Sequence, residues 1–230
     1  MQANTLAAVC PDGQGLAVAR IRRDKDRPPM LELCDYQHID PAQNGKTALA
    51  ELIKNSQLDR SLCSSLVEPG EYNLVMVEAP EVKPEEMAAA IRWRIKDLID
   101  FDLDDAVIDM FEVPDAKANV NNMVYAVVAR AAVVKQRIDR LVDAGLNLDV
   151  IDIPELALRN IAALLPEDVA GVAIVYIGQD QGLITITRQQ TLYLSRRLAT
   201  GINALPNNQQ LTDTLTQHDL HLHQVLTVQA

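Results

Sequence analysis

The stretch PEEMAAAIRWRIKDLIDFDLDD, residues 84–105, decides how the rest of the sequence is read. Pro84 brings a φ already suited to a first helical turn, and Glu85 and Glu86 follow at the positive end of the helix dipole. Met87, Ile91, Ile95 and Leu98 recur at spacings of four, four and three, which stacks them on one face that must be buried. Trp93, the only tryptophan, lies about 200° round from Ile91 at 3.6 residues per turn. It either packs against a second layer or is offered to a partner, since large aromatics concentrate at binding hot spots. The acidic run 100–105 ends the helix and turns the chain toward a strand. Such a helix, set between strand-like runs, reads as the centre of an inserted subdomain.

Outward from it, residues 5–10, 16–22 and 30–39 are strand candidates. The turn PDGQG, where Gly13 and Gly15 permit positive φ, joins the first two, and Pro28-Pro29 marks the next. Residues 44–54 predict a helix burying Leu49, Leu52 and Ile53. YNLVMV, 72–77, reads as a strand buried on both faces. Strands are expected at 106–113, 123–130 and 148–153. A helix at 133–143 stops at Gly145, and another runs from Pro154 to about residue 164. Strands at 172–177, 183–188 and 191–198 follow, and helix from 208. DGQGLAVAR at 12–20 faces QDQGLITIT at 179–187, each at the first hairpin of a three-strand unit. The pattern is an internal duplication in an α/β chain. The expected division is 1–77 with 146–170 as the first subdomain, 78–145 as the insert, and 171–230 as the start of a second half.

Apolar residues make up 48% of the chain but aromatics only 3%, so the cores must be built from Leu, Ile, Val and Ala. A net charge of −11 argues against nucleic acid, which needs clustered Lys and Arg. The one basic run, 20–27, is interrupted by Asp24 and Asp26. No stretch approaches the roughly 18–20 apolar residues of a membrane span, and no signal peptide precedes the first strand. Cys10, Cys34 and Cys63 are odd in number and scattered, as suits a reducing cytosol.

Three constellations come close to known chemistry. DPAQNGKT, 40–47, has the end of a phosphate-binding loop, but Asp40 stands where the first glycine belongs and Pro41 removes an amide. Asp100, Asp102 and Asp104 have the first spacings of a calcium loop, yet Asp105 replaces its glycine and Phe111 its final glutamate. His218, His221 and His223 lie close together without a cysteine, which reads as a polar helix face more readily than a zinc site. No Ser-His-Asp arrangement can be drawn, so no small-molecule substrate is expected.

The run PEEMAAAIRWRIKDLIDFDLDDAVID (84–109), with VYAVVAR (124–130) and LVDAGLNLDVIDIPELALRN (141–160), resembles the PilM-type proteins. These are cytoplasmic actin-like proteins of type IV pilus assembly, related to the cytoplasmic part of the type II secretion GspL proteins. The resemblance is strongest to the branch serving mannose-sensitive haemagglutinin pili. It implies an actin-like, duplicated ribonuclease H-like fold with an inserted α+β subdomain and a second half cut short at residue 230. It also implies a protein at the inner-membrane assembly platform that grips the cytoplasmic tail of a membrane protein, with the assembly ATPase as a further candidate partner. With Trp93 off the buried stripe, Arg92 and Trp93 become the expected partner contacts.

The same family carries Asp-x-Gly at the end of the first strand of each half, where the carboxylates organise magnesium and water. Here the corresponding residues read Val9-Cys10-Pro11 and Tyr176-Ile177-Gly178, without an acid in either. Asp12 and Asp180 are nearby but shifted into the hairpins. Gly13, Gly15, Gly178 and Gly182 are left as vestiges of phosphate hairpins. The expectation is therefore a non-enzyme with no metal and no cofactor, an ATP-binding switch or ATPase being the alternative.

Overall fold

The computed structural model describes residues 5–11, 15–25, 27–38, 45–113 and 123–204. The chain divides into two compact units that part at Pro154 and Glu155.

The first unit opens with a meander of β1 (Thr5–Pro11), β2 (Gly15–Arg22) and β3 (Met30–His38). Helix α1 (Gly45–Asn55) then leads to β4 (Leu62–Leu66), which lies parallel beside β1. Strand β5 (Tyr72–Glu78), helix α2 (Pro84–Ile95), β6 (Ala106–Val113) and β7 (Met123–Arg130) come next. Helix α3 (Ala131–Asp143) and strand β8 (Asn147–Asp152) return to the first sheet, whose order is β3-β2-β1-β4-β8. Alternation places Ala7 and Val9 of β1 with Leu16 and Val18 of β2 under α1, which buries Leu49, Leu52 and Ile53 as its spacing predicts. Leu141 of α3 and Leu146 join the same core.

The end of α3 shows why. Gly145 has φ +96°, its N–H donates to Val142 O, and the Leu146 N–H donates to Leu141 O. That is the paired bonding of a Schellman cap, and it seals the helix with a Leu141–Leu146 contact. Strand β4 has no counterpart in the sequence reading. Its LCSSL sequence looks polar, but the Ser61 hydroxyl before it donates to Thr5 Oγ1 (3.2 Å) and the Ser64 hydroxyl to Ala7 O (3.4 Å). Pairing with β1 places these polar residues in a strand that composition alone would call a loop, although the Ser65 hydroxyl is buried there without a partner.

Between β4 and α3 the chain builds a separate three-stranded sheet, β5-β7-β6, with α2 across one face. Ile91 and Ile95 are fully buried against Val77, Val124, Ala126 and Val128. Two expectations are corrected here. Leu98 does not continue the buried stripe: α2 ends at Ile95, the 3₁₀ turn Lys96–Leu98 rotates it outward to 53% exposure, and Ile99 packs in its place. Strand β5 is not buried on both faces. It is the edge of an antiparallel sheet, and Met76, on the face away from α2, is 45% exposed.

The second unit holds most of α4 (Pro154–Ala162) and a second meander, β9 (Val172–Ile177), β10 (Gly182–Arg188) and β11 (Thr191–Leu198), all antiparallel. The turn from β10 to β11 puts two non-glycine residues, Gln189 and Gln190, at positive φ. Asp168 holds both: its carbonyl accepts from the Gln189 N–H (2.9 Å) and its carboxylate from the Gln190 N–H (2.7 Å). These bonds offset the roughly 1 kcal/mol per residue that a left-handed conformation costs.

Candidate functional site

The two meanders place the two candidate hairpins. In the first, Asp12, Gly13 and Gln14 lie outside the described residues, but the strands on either side are clear. Gly15 opens β2 where β3 crosses closely: a Cβ there would stand 2.4 Å from Gln37 O and 2.8 Å from Tyr36 Oη. At the end of β1, Pro11 O accepts from Arg137 Nη1 of α3 (3.2 Å). Arg137 is buried, and its Nη2 also donates to Glu71 Oε2 (2.7 Å), with Glu68 Oε1 3.6 Å away. One guanidinium thus ties the first hairpin to the segment that enters the inserted sheet and to the helix that leaves it. Nothing in the sequence marked Arg137; on an amphipathic helix an arginine reads as solvated.

The second hairpin is closed by its own chain. The Gly178 N–H donates to Gln181 O (2.9 Å), completing the turn. The next segment then lies across it: the Ile202 N–H donates to Gly178 O and the Asn203 N–H to Gln179 O, both at 2.9 Å. Asn203 Nδ2 donates to Asp180 Oδ1 (3.0 Å), so the shifted acid is engaged by an amide. Gly201 permits this approach, because a Cβ there would sit 2.3 Å from Gln179 O, and Gly182 is needed beside Tyr176 O, 2.7 Å from its Cβ position. Gly201 and Asn203 were missed in the sequence; the single signal was a glycine after the last strand.

Strand register refines the comparison of the halves. Leu16 pairs with Pro11, and Leu183 pairs with Tyr176. Counted across the ladders, Pro11 rather than Val9 is therefore the counterpart of Tyr176, and Val9 lies fully buried in the core. Neither residue is an acid. Among the described residues no group of three or more His, Cys, Asp and Glu could hold a metal ion. The calcium-like acids diverge: Asp100 pairs with Arg130 (3.6 Å), Asp104 with Arg92 (3.4 Å), and Asp102 caps the turn by accepting from the Asp104 N–H (3.0 Å). The loop at 40–44 and the three histidines lie outside the described residues.

Nearby thiols are quiet. Burial, then the neighbouring Cys10, pushes Cys63 up to about 12, and burial raises Cys10 as well against the pull of the Leu66 backbone bond and Arg137. All three cysteines are free.

On the inserted sheet, Trp93 stands opposite Ile91 on α2 and is 73% exposed, so the second-layer packing allowed by the sequence does not occur. Lys96 Nζ sits over its ring, 5.7 Å from the centroid. Arg92 is committed within the protein: its Nη2 donates to Leu103 O and contacts Asp104, pinning the acidic exit of α2. Arg130 lies over Phe101, 4.3 Å from its centroid.

A duplicated three-strand meander carrying an inserted subdomain is the actin-like fold. The chain matches the family model of the type IV pilus assembly protein PilM over residues 73–219, more than half its length, and it belongs to that family. Solved structures agree on the fold. The PilM of a PilM–PilN type IV pilus biogenesis complex superposes with a TM-score of 0.70 at 19% identity, over 94% of this chain and 66% of that one. The cytoplasmic domain of EpsL, an inner-membrane component of the Vibrio cholerae type II secretion system, gives 0.57 at 13% identity, over 85% and 71%. A Bacteroides thetaiotaomicron protein with an actin-like ATPase fold gives 0.51 at 8%, over 95% and 78%. Among curated protein sequences none matches. The chain thus spans just under two thirds of the length of the PilM it superposes on. Among the described residues no helix is long and apolar enough to cross a membrane.

Proposed function

We propose that this chain is a scaffold on the cytoplasmic side of the inner-membrane assembly platform of a type IV pilus. In this reading it holds the cytoplasmic tail of a platform membrane protein and links it to the assembly machinery, the assembly ATPase included. The pilus is of the mannose-sensitive haemagglutinin type, which makes the chain an MshI. The observation that carries the reading is membership of the PilM family, supported by a PilM structure that was solved together with PilN. We take the insert to run from β5 through β7, with α3 belonging to the first half, where Leu141 is buried.

The hairpins favour a scaffold over an ATP-binding switch. Phosphoryl transfer depends on a metal clamp and a placed water, and the two strand-end positions hold Pro11 and Tyr176. The Gly178 amide and the Asp180 carboxylate are already used within the chain. The test is co-purification of the full-length protein with the platform's inner-membrane protein in lipid nanodiscs, together with calorimetry against magnesium ATP. Binding of the membrane protein without measurable nucleotide heat or phosphate release is the expected result. ATP turnover that vanishes in Asp12→Asn or Asp180→Asn would replace the scaffold with the switch.

A further inference from the structure

We propose that β3 pairs antiparallel with β3 of a second copy of this chain, joining the two first-unit sheets edge to edge about a two-fold axis at Cys34.

The edge is open and poorly guarded. Among the described residues β3 pairs only with β2 and ends the sheet order β3-β2-β1-β4-β8. Its nine residues extend about 30 Å, and all but Leu33 are exposed, with Met30 at 50% and Leu31 at 60%. Natural sheets blunt such edges with lysine, proline or short strands. MLELCDYQH has no lysine and no proline. The opposite edge, β8, is shorter and carries Asp149 and Asp152. The one irregularity in β3 is a bulge at Glu32, where Arg20 pairs with Leu33 and Ile21 with Leu31.

Backbone geometry shows what the edge offers. Gln37 O faces β2, since a Cβ on Gly15 would stand 2.4 Å from it. Alternation in an antiparallel ladder then turns the N–H and C=O of Cys34 and Tyr36 to the open side. Asp35 is the guard: its Oδ1 accepts from the Tyr36 N–H (2.9 Å) and its Oδ2 from Gln37 Nε2 (3.4 Å). That cap lies at Tyr36, away from the midpoint of the strand.

Self-complementarity names the occupant. Leu33, Asp35 and Gln37 share the face of Arg20, Val18 and Leu16, while Cys34, Tyr36 and His38 share the other. A two-fold axis through the sheet keeps the faces aligned only if it passes at a residue rather than between two. At Asp35 it would oppose two carboxylates. At Leu33 or Tyr36 it would leave part of the strand unpaired. At Cys34, the midpoint, it sets Leu33 against the partner's Asp35 and Glu32 against the partner's Tyr36. The same register carries the partner's Gln37 and His38 over Leu31 and Met30, and no like charges are opposed. Arg20 (3.4 Å) and Arg22 (3.2 Å) hold Glu32, so the seam escapes the repulsion that a chain of net charge −11 meets elsewhere. A strand from another protein would need a sequence of its own to make this match; a copy already has it.

The test is sedimentation of the full chain over rising concentration, together with oxidation by copper phenanthroline. A concentration-dependent dimer is expected, and Cys34 should couple to the partner's Cys34 as a disulfide. A hydrogen-bonded pair sets Cα atoms about 5.5 Å apart, inside the disulfide range. Cys34→Ser should keep the dimer and lose the cross-link. Cys34→Lys opposes two ammonium groups on the axis and should weaken the dimer at least about tenfold, with unfolding of the monomer unchanged because the side chain is exposed. Asp35→Ala removes the cap from Tyr36 and should tighten the dimer, and Val169→Ala, exposed on the second unit, should leave it unchanged. A wild-type chain that stays monomeric at every concentration overturns the proposal. So does a dimer that Cys34→Lys leaves intact, or one whose Cys34 thiols do not couple.

Discussion

The two meanders follow one plan and are closed in different ways. The first hairpin is held from outside, by a buried arginine reaching its strand-end carbonyl from α3. The second is held by the segment that follows its own third strand, through two backbone bonds and the Asn203–Asp180 contact. The difference teaches where each half is fixed. In the first, the hairpin is tied to both chain crossings of the insert, so movement of the inserted sheet has a path to it through Glu71 and Arg137. In the second, the hairpin is tied to the segment that follows its own third strand.

Arg137→Met breaks that comparison most directly. It leaves Pro11 O and the Glu71 carboxylate without their buried donor, and about 2–3 kcal/mol of stability should be lost. Hydrogen exchange should show faster opening at β1, β2 and residues 68–71, with β9 and β10 unchanged. Equal acceleration in both meanders would show that the halves are not closed independently.

Gly201→Ala is the matching change in the second half. Its Cβ meets backbone at Gln179, which cannot give way as a side chain would, so about 1–2 kcal/mol is expected. The Gly178 amide should lose protection while the first meander keeps its own. Asn203→Ala removes only an exposed side-chain bond and should cost at most about 0.5 kcal/mol.

The thiols sharpen the contrast by pH. Cys63 sits in the first core with its pKa raised from 9.0 to about 12, so the folded chain keeps the proton after the unfolded chain has lost it. Its contribution is intact below pH 9 and is lost as pH rises from there toward 12. Cys63→Ala should flatten that part of the denaturation curve. In native protein an alkylating reagent should modify exposed Cys34 first and Cys63 only on unfolding.

Much of the fold was legible in the sequence because its signals are local. The hairpin turns, the α1 stripe, the Pro84 start of α2 and the Gly145 stop of α3 each depend on residues a few positions apart. The repeated Gln-Gly-Leu pointed to the duplicated meander, and the family motifs to the fold. Tertiary structure decided what depends on residues far apart in the chain. Strand β4 is fixed by parallel pairing with β1, where the Ser64 hydroxyl also reaches Ala7 O, Leu98 faces solvent because Ile99 fills the sheet, and Trp93 is exposed because α2 turns Ile91 and Ile95 toward the sheet. Arg137 is a buried tie because three segments converge on it, an arrangement no spacing along one helix encodes. Sequence periodicity states which side of an element is apolar; only the packed partners determine whether the other side is covered.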